Sequence, residues 1–183
     1  MRETKEFLGE RRDTRRETGF SLIELLIVVT VILILAAMAI PNYLRSRLMA
    51  NEASAVHSMR AINTAEVSYA TSYGLGYAPG LGNLAGATPC AASPATACLI
   101  DPFLGAGTKS GYSFKAVPNT GAGTALSPFT GLEVTANPLN VGTTGQRSFC
   151  SDQSGAIRFD ATGAVMGTGA AACAAIPAAQ VLQ

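Results

Sequence analysis

Apolar side chains fill almost every position from Phe20 to Ile40, read FSLIELLIVVTVILILAAMAI, and the only ionisable residue among them is Glu24. At about 1.5 Å per residue this run predicts a helix about 30 Å long, enough to cross the hydrocarbon core of a bilayer. Fourteen of these residues are Phe, Leu, Ile or Val, which together favour insertion by about 6 kcal/mol. A carboxylate near one end costs at most about 3 kcal/mol, so the helix inserts in spite of Glu24.

Past Ile40 the pattern changes without stopping. Pro41 removes one backbone donor and predicts a kink rather than an end. Leu44, Leu48, Val56, Met59, Ile62, Tyr69 and Tyr73 then recur at three- to four-residue steps or their multiples, with Arg45, Arg47, Asn51, Glu52 and Arg60 between them. That periodicity predicts an amphipathic continuation to Tyr73, where Gly74 and Gly76 supply the stop. From Gly74 to Gly111 the composition shifts to Gly, Ala, Pro, Ser and Thr, the signature of a surface loop.

Period-two alternation follows. Tyr112–Val117 places Tyr112, Phe114 and Ala116 on one face and is expected to end at Pro118-Asn119; Leu132–Ala136 alternates again before Asn137-Pro138. Arg147–Cys150 and Ala156–Phe159 flank Ser151–Gly155, a hairpin connection whose Gly155 can take positive φ. Four short antiparallel strands result, and so small a sheet needs the helix stripe as cover. The expected fold class is α+β. After Phe159 the chain is rich in Gly and Ala to Gln183, with little reason to stay ordered except Cys173.

Composition and charge narrow the function. The 183 residues amount to one domain plus an anchor, with 13 basic and 12 acidic side chains and a net charge of +1. No acidic polymer is implied as partner. Lys109, Lys115, Arg147 and Arg158 are interspersed with Glu133, Asp152 and Asp160, so no basic stripe for nucleic acid emerges. Arg11, Arg12, Arg15 and Arg16 directly precede the apolar run, and only Arg45 and Arg47 closely follow it. Counting Lys and Arg alone puts the N-terminus in the cytoplasm and the remainder outside.

All four cysteines, Cys90, Cys98, Cys150 and Cys173, fall on the side expected to be outside, where disulfides form. Three pairings are open. Proximity favours Cys90–Cys98 with Cys150–Cys173, for which loop closure gives about 2.6 and 3.4 kcal/mol. A zinc site is the rival, against which stand the lack of a C-x₂-C spacing and the single histidine. That histidine, His57, reads as a solvated or partly packed helical residue. Asp152 and Asp160 read as turn caps, with calcium as the alternative. No H-E-x-x-H, G-x-S-x-G or Walker-type glycine loop is present. The expectation is a protein without catalytic residues, metal or cofactor.

One stretch carries more than periodicity. Thr18-Gly19-Phe20-Ser21-Leu22-Ile23-Glu24-Leu25-Leu26, with basic residues upstream and Pro41 at the far end of the apolar run, resembles the prepilin motif of type IV pilins and pseudopilins. The resemblance implies cleavage after Gly19 by prepilin peptidase and N-methylation of the new Phe20 amine. Glu24 would then be the glutamate that meets the Phe20 amine of a neighbouring subunit. An ordinary bitopic anchor needs neither Gly19 nor Glu24, while a secretory signal peptide would be cut after Ala37-Met38-Ala39.

The family further implies a leader at 1–19, a transmembrane and assembly half-helix at 20–40, an amphipathic half at 41–73, an αβ-loop at 74–110, and a sheet with a disulfide-bounded D-region at 111–183. It implies a homopolymer with other pilin subunits, a prepilin peptidase and methyltransferase, and inner-membrane assembly machinery as partners. The subunit would sit in the inner membrane before assembly and in an extracellular pilus afterwards, serving adhesion, twitching motility or DNA uptake. A pseudopilin of a type II secretion system is the alternative, faintly echoed by Asp101-Pro102-Phe103 with Gly111-Tyr112. A membrane-anchored binding module that never polymerises is the reading from another class.

Overall fold

A computed structural model of the chain describes residues 19–87, 89–168, 173–176 and 180–182. Most of the expected leader, residues 1–18, lies outside them, as do the four arginines that set the expected orientation. The chain divides into two compact units, residues 1–40 and 41–183.

Helix α1 runs over Leu22–Tyr73 with Pro41 inside it. In the first unit every residue from Leu22 to Ile40 is exposed except Ala36, which is half-buried. In the second unit α1 buries Glu52, Ala55, Ser58, Met59, Ile62, Ala65, Glu66 and Tyr69. Leu44, expected on the apolar stripe, is exposed, whereas Val56 and Tyr73 are partly buried against the core. The helix stops where expected: Gly74 and Gly76 take positive φ of 67° and 80°, and a Cβ on Gly76 would collide with the Phe129 backbone.

Among the described residues the sheet has six strands, β1 (Thr108–Lys109), β2 (Tyr112–Thr120), β3 (Gly131–Pro138), β4 (Ser148–Asp152), β5 (Ile157–Asp160) and β6 (Val181–Leu182), paired antiparallel in chain order. This corrects the expected four. The two additions are two-residue edge strands, too short to show any alternation. Strand β2 also continues through Pro118 and Asn119, with an irregularity between Pro118 and Thr120. There β1 no longer pairs with it, and an open edge does not need the proline's missing donor.

Tyr112, Phe114, Ala116, Leu132, Val134, Ala136, Phe149 and Ile157 form the core with Met59, Ile62 and Tyr69. The segment from Gly74 to Gly111 contributes as well, which corrects its reading as a surface loop. Ala78, Leu81, Leu84, Ala97 and Leu104 are buried core residues, and two single-turn helices form within it, α2 (Leu81–Leu84) and α3 (Pro102–Gly105). Asp101 caps α3, its Oδ1 accepting the Leu104 N–H at 2.9 Å while its Oδ2 meets Lys109 Nζ at 2.9 Å. This local cap accounts for Asp101-Pro102.

The opposite face of the sheet is covered too. Along β3 all but Asn137 are buried, and Asn137 is half-buried. Its polar positions Glu133 and Asn137 face the C-terminal segment: the Cys173 N–H donates to Glu133 Oε1 at 3.1 Å, and the Asn137 amide exchanges two hydrogen bonds with the Met166 backbone. Arg158 donates to the Cys173 carbonyl at 3.1 Å. The polar positions of the alternation are thus the bonding surface for the tail.

Candidate processing and assembly site

Gly19, Phe20 and Ser21 precede the first helical turn and are exposed. No atom lies within 4 Å of the position a Cβ would take on Gly19, so none of the described residues crowds the Gly19–Phe20 bond. Glu24 stands in the first turn of α1, where its Oε2 accepts the Ser21 N–H at 3.0 Å. The carboxylate thereby takes up one of the donors that a helix start leaves unpaired, at the end where the helix dipole favours negative charge.

Behind Glu24 the helix offers a continuous apolar surface up to Ile40, and the 18-residue stretch most suited to a membrane has no buried residue. Its one central hydroxyl is satisfied within the helix, Thr30 Oγ1 donating to the Ile27 carbonyl at 2.8 Å. Such a surface is stable in lipid or against other apolar helices, and not in water.

In the second unit a different carboxylate fixes the helix to the sheet. Glu52 is buried; its Oε1 accepts the Gln146 and Arg147 N–H groups at 2.9 and 3.2 Å, and its Oε2 receives Arg147 Nε at 2.8 Å and Nη2 at 2.6 Å. Arg147 also lies over the rings of Phe149 and Phe159. Asn51 adds a hydrogen bond to the Thr144 carbonyl at 2.8 Å. Sequence reading passed over Glu52 as a spacer, yet a signal exists. Glu52, Ala55, Met59, Ile62, Glu66 and Tyr69 repeat at steps of three, four, three, four and three, so both glutamates occupy buried-stripe positions.

The cysteines pair as proximity suggests, Cys90 with Cys98 and Cys150 with Cys173, at Cα separations of 6.2 and 5.6 Å. His57 is exposed on α1. Asp152 and Asp160 each bind a backbone amide two residues on, Ser154 and Thr162, both at 2.9 Å.

The family model described as the prokaryotic N-terminal methylation motif matches residues 14–40. The type IV major pilin protein PilA of Myxococcus xanthus (strain DK1622) is 44% identical to this chain over 54 residues. The N-terminal segment of this chain is therefore similar to that of a type IV major pilin. That match covers 30% of this chain and 24% of the relative, so it spans about a quarter of the relative's length. No solved structure matches the chain.

A pilin-like architecture is visible in what the structure brings together: a long N-terminal helix, an antiparallel sheet and two disulfides. The Cys150–Cys173 bridge joins β4 to the tail, just where Glu133 and Arg158 bind the Cys173 backbone. The Cys90–Cys98 bridge closes a short loop whose Pro94 carbonyl accepts the Tyr69 hydroxyl at 2.8 Å.

Proposed function

We propose that this chain is a structural subunit, and the main one, of a type IV pilus rather than an enzyme. The observation that carries the reading is the exposed apolar helix surface from Leu22 to Ile40, entered through Gly19-Phe20 and bearing the single carboxylate of Glu24. Delivered to the inner membrane with its N-terminus inside, the chain loses residues 1–19 to prepilin peptidase and is N-methylated at Phe20. Inner-membrane assembly machinery then moves the helix from lipid into a bundle of its own kind. Its contacts are head-to-tail and do not close, which builds an open helical polymer. The extracellular filament serves adhesion, motility or DNA uptake.

Glu24 sets the axial register in this scheme. In an apolar bundle a lone charge is costly, and the Phe20 amine of a neighbouring subunit offsets it at only certain offsets between helices. Shearing cells and probing the released fraction for this chain tests the proposal. A pilus subunit is released in bulk. A chain that stays with the cell as a short polymer supports a pseudopilin of a type II secretion system. A chain that stays in the membrane as a monomer supports an anchored binding module.

A further inference from the structure

Glu66 is wholly buried on the face of α1 that meets the core. Its Oε2 accepts the Ala78 N–H at 2.7 Å, twelve residues on, and its Oε1 has no hydrogen-bond partner among the described residues. This bond is placed at a joint. The chain leaves α1 through Gly74 and Gly76, both at positive φ, and its next amides turn toward Phe129: the Tyr77 N–H donates to the Phe129 carbonyl and the Phe129 N–H to the Leu75 carbonyl. Ala78 is therefore where the segment beyond the helix is tied back to the helix, and Glu66 is the tie.

A buried carboxylate with one donor is poorly compensated, and the cost falls on its charged form. The titratable group that faces it is Tyr69, one turn further along α1, whose phenol is pushed up from its ordinary value by burial and then by Tyr73 and Glu66. Among the described residues no cationic side chain pairs with it. We propose that Glu66 is a proton-operated latch: neutral, it holds Ala78 and the loop carrying Cys90–Cys98 against the helix; ionised, it lets that loop open.

Burial pushes Glu66 up to about 7 from the model-compound value of 4.5, opposed by the smaller pull of the Ala78 N–H. A raised acid favours the latched form while protonated. The stabilisation is full below about pH 4.5 and is lost as pH rises through about 7, a change in the opening equilibrium of up to about 300-fold.

Amide hydrogen exchange on the full-length chain in detergent micelles, from about pH 5 to about pH 8.5, tests this when written as protection relative to intrinsic rates. Peptides spanning residues 74–84 should lose protection by about ten- to about 75-fold and level off above about pH 7.5, while peptides from β3 and β4 stay constant. Glu66→Gln, which keeps the acceptor and removes the titration, should make residues 74–84 independent of pH. Protection that is flat in the wild type, or falls equally in β3 and β4, or keeps its slope in Glu66→Gln, overturns the latch. Should that variant not fold, ¹³C resonances of the wild-type glutamate carboxyls decide: one midpoint near 7 supports the proposal, and all midpoints below about 5.5 refute it.

Discussion

Replacing Cys150 and Cys173 together by serine should detach the tail from the sheet and lower the stability of the second unit measurably. The bridge spans a sequence separation of 23 residues, and on the chain-entropy account closing such a loop contributes about 3.4 kcal/mol. Two further ties end on Cys173, from its N–H to Glu133 and from its carbonyl to Arg158. Each is worth about 1 kcal/mol when made, and both weaken once the tail is free. The expected loss is therefore about 3 to 5 kcal/mol, large against the 5–15 kcal/mol typical of a domain. Denaturant unfolding of the full-length chain in detergent, followed by tyrosine fluorescence, reads it directly. The variant should also show a steeper dependence on denaturant, because its unfolded chain is less constrained. An unfolding free energy within about 1 kcal/mol of the wild type would show that the polar face of β3 orders the tail unaided, and the reasoning would be wrong.

Removing the shorter bridge with Cys90→Ser and Cys98→Ser should cost less, about 2.6 kcal/mol by the same account, since the separation is 8 residues; a larger loss than for Cys150–Cys173 would contradict the ranking. Glu52→Ala should destabilise the second unit by about 3 kcal/mol, because it strips a buried partner from Arg147 and two backbone donors. Thermal unfolding that leaves the midpoint unchanged would rule that out. Glu24→Ala should leave the leader cleaved and filament yield reduced, as judged by sheared protein per cell; normal yield refutes the pairing with Phe20. Gly19→Leu should accumulate uncleaved chain on an immunoblot, and complete processing would overturn the role given to Gly19.

The long helix and the core strands were legible because their periods repeat. Fourteen large apolar residues in one run, three inward positions on β2 and glycines at the helix stop each state a structure several times over. The disulfide pairing was legible from spacing alone. What escaped has a physical pattern of its own. Strands β1 and β6 contain two residues each, a single period of alternation that never repeats. The residues from Gly74 to Gly111 bury Leu81, Leu84 and Leu104 singly, in turns too short to repeat a helical stripe. Glu52 and Glu66 were hidden because carboxylates are rarely core residues, and the groups they meet there, Arg147 far along the chain and the Ala78 N–H just beyond the helix, leave no mark on the helical pattern. The contacts of the outer positions of β3 could not be read for the same reason: their partners belong to the Gly- and Ala-rich tail, which has no periodicity. At the candidate site the motif residues Gly19, Phe20 and Glu24 could be named from sequence, since their meaning is local.

The central claim is that one apolar helix is freed at Phe20 and then used to build a filament. Mass spectrometry and N-terminal sequencing of the chain recovered from sheared surface filaments test it most directly. The account predicts a subunit that begins with N-methylated Phe20 and lacks residues 1–19. A surface-exported chain that still begins at Met1, or one that begins at Ile40, would contradict it.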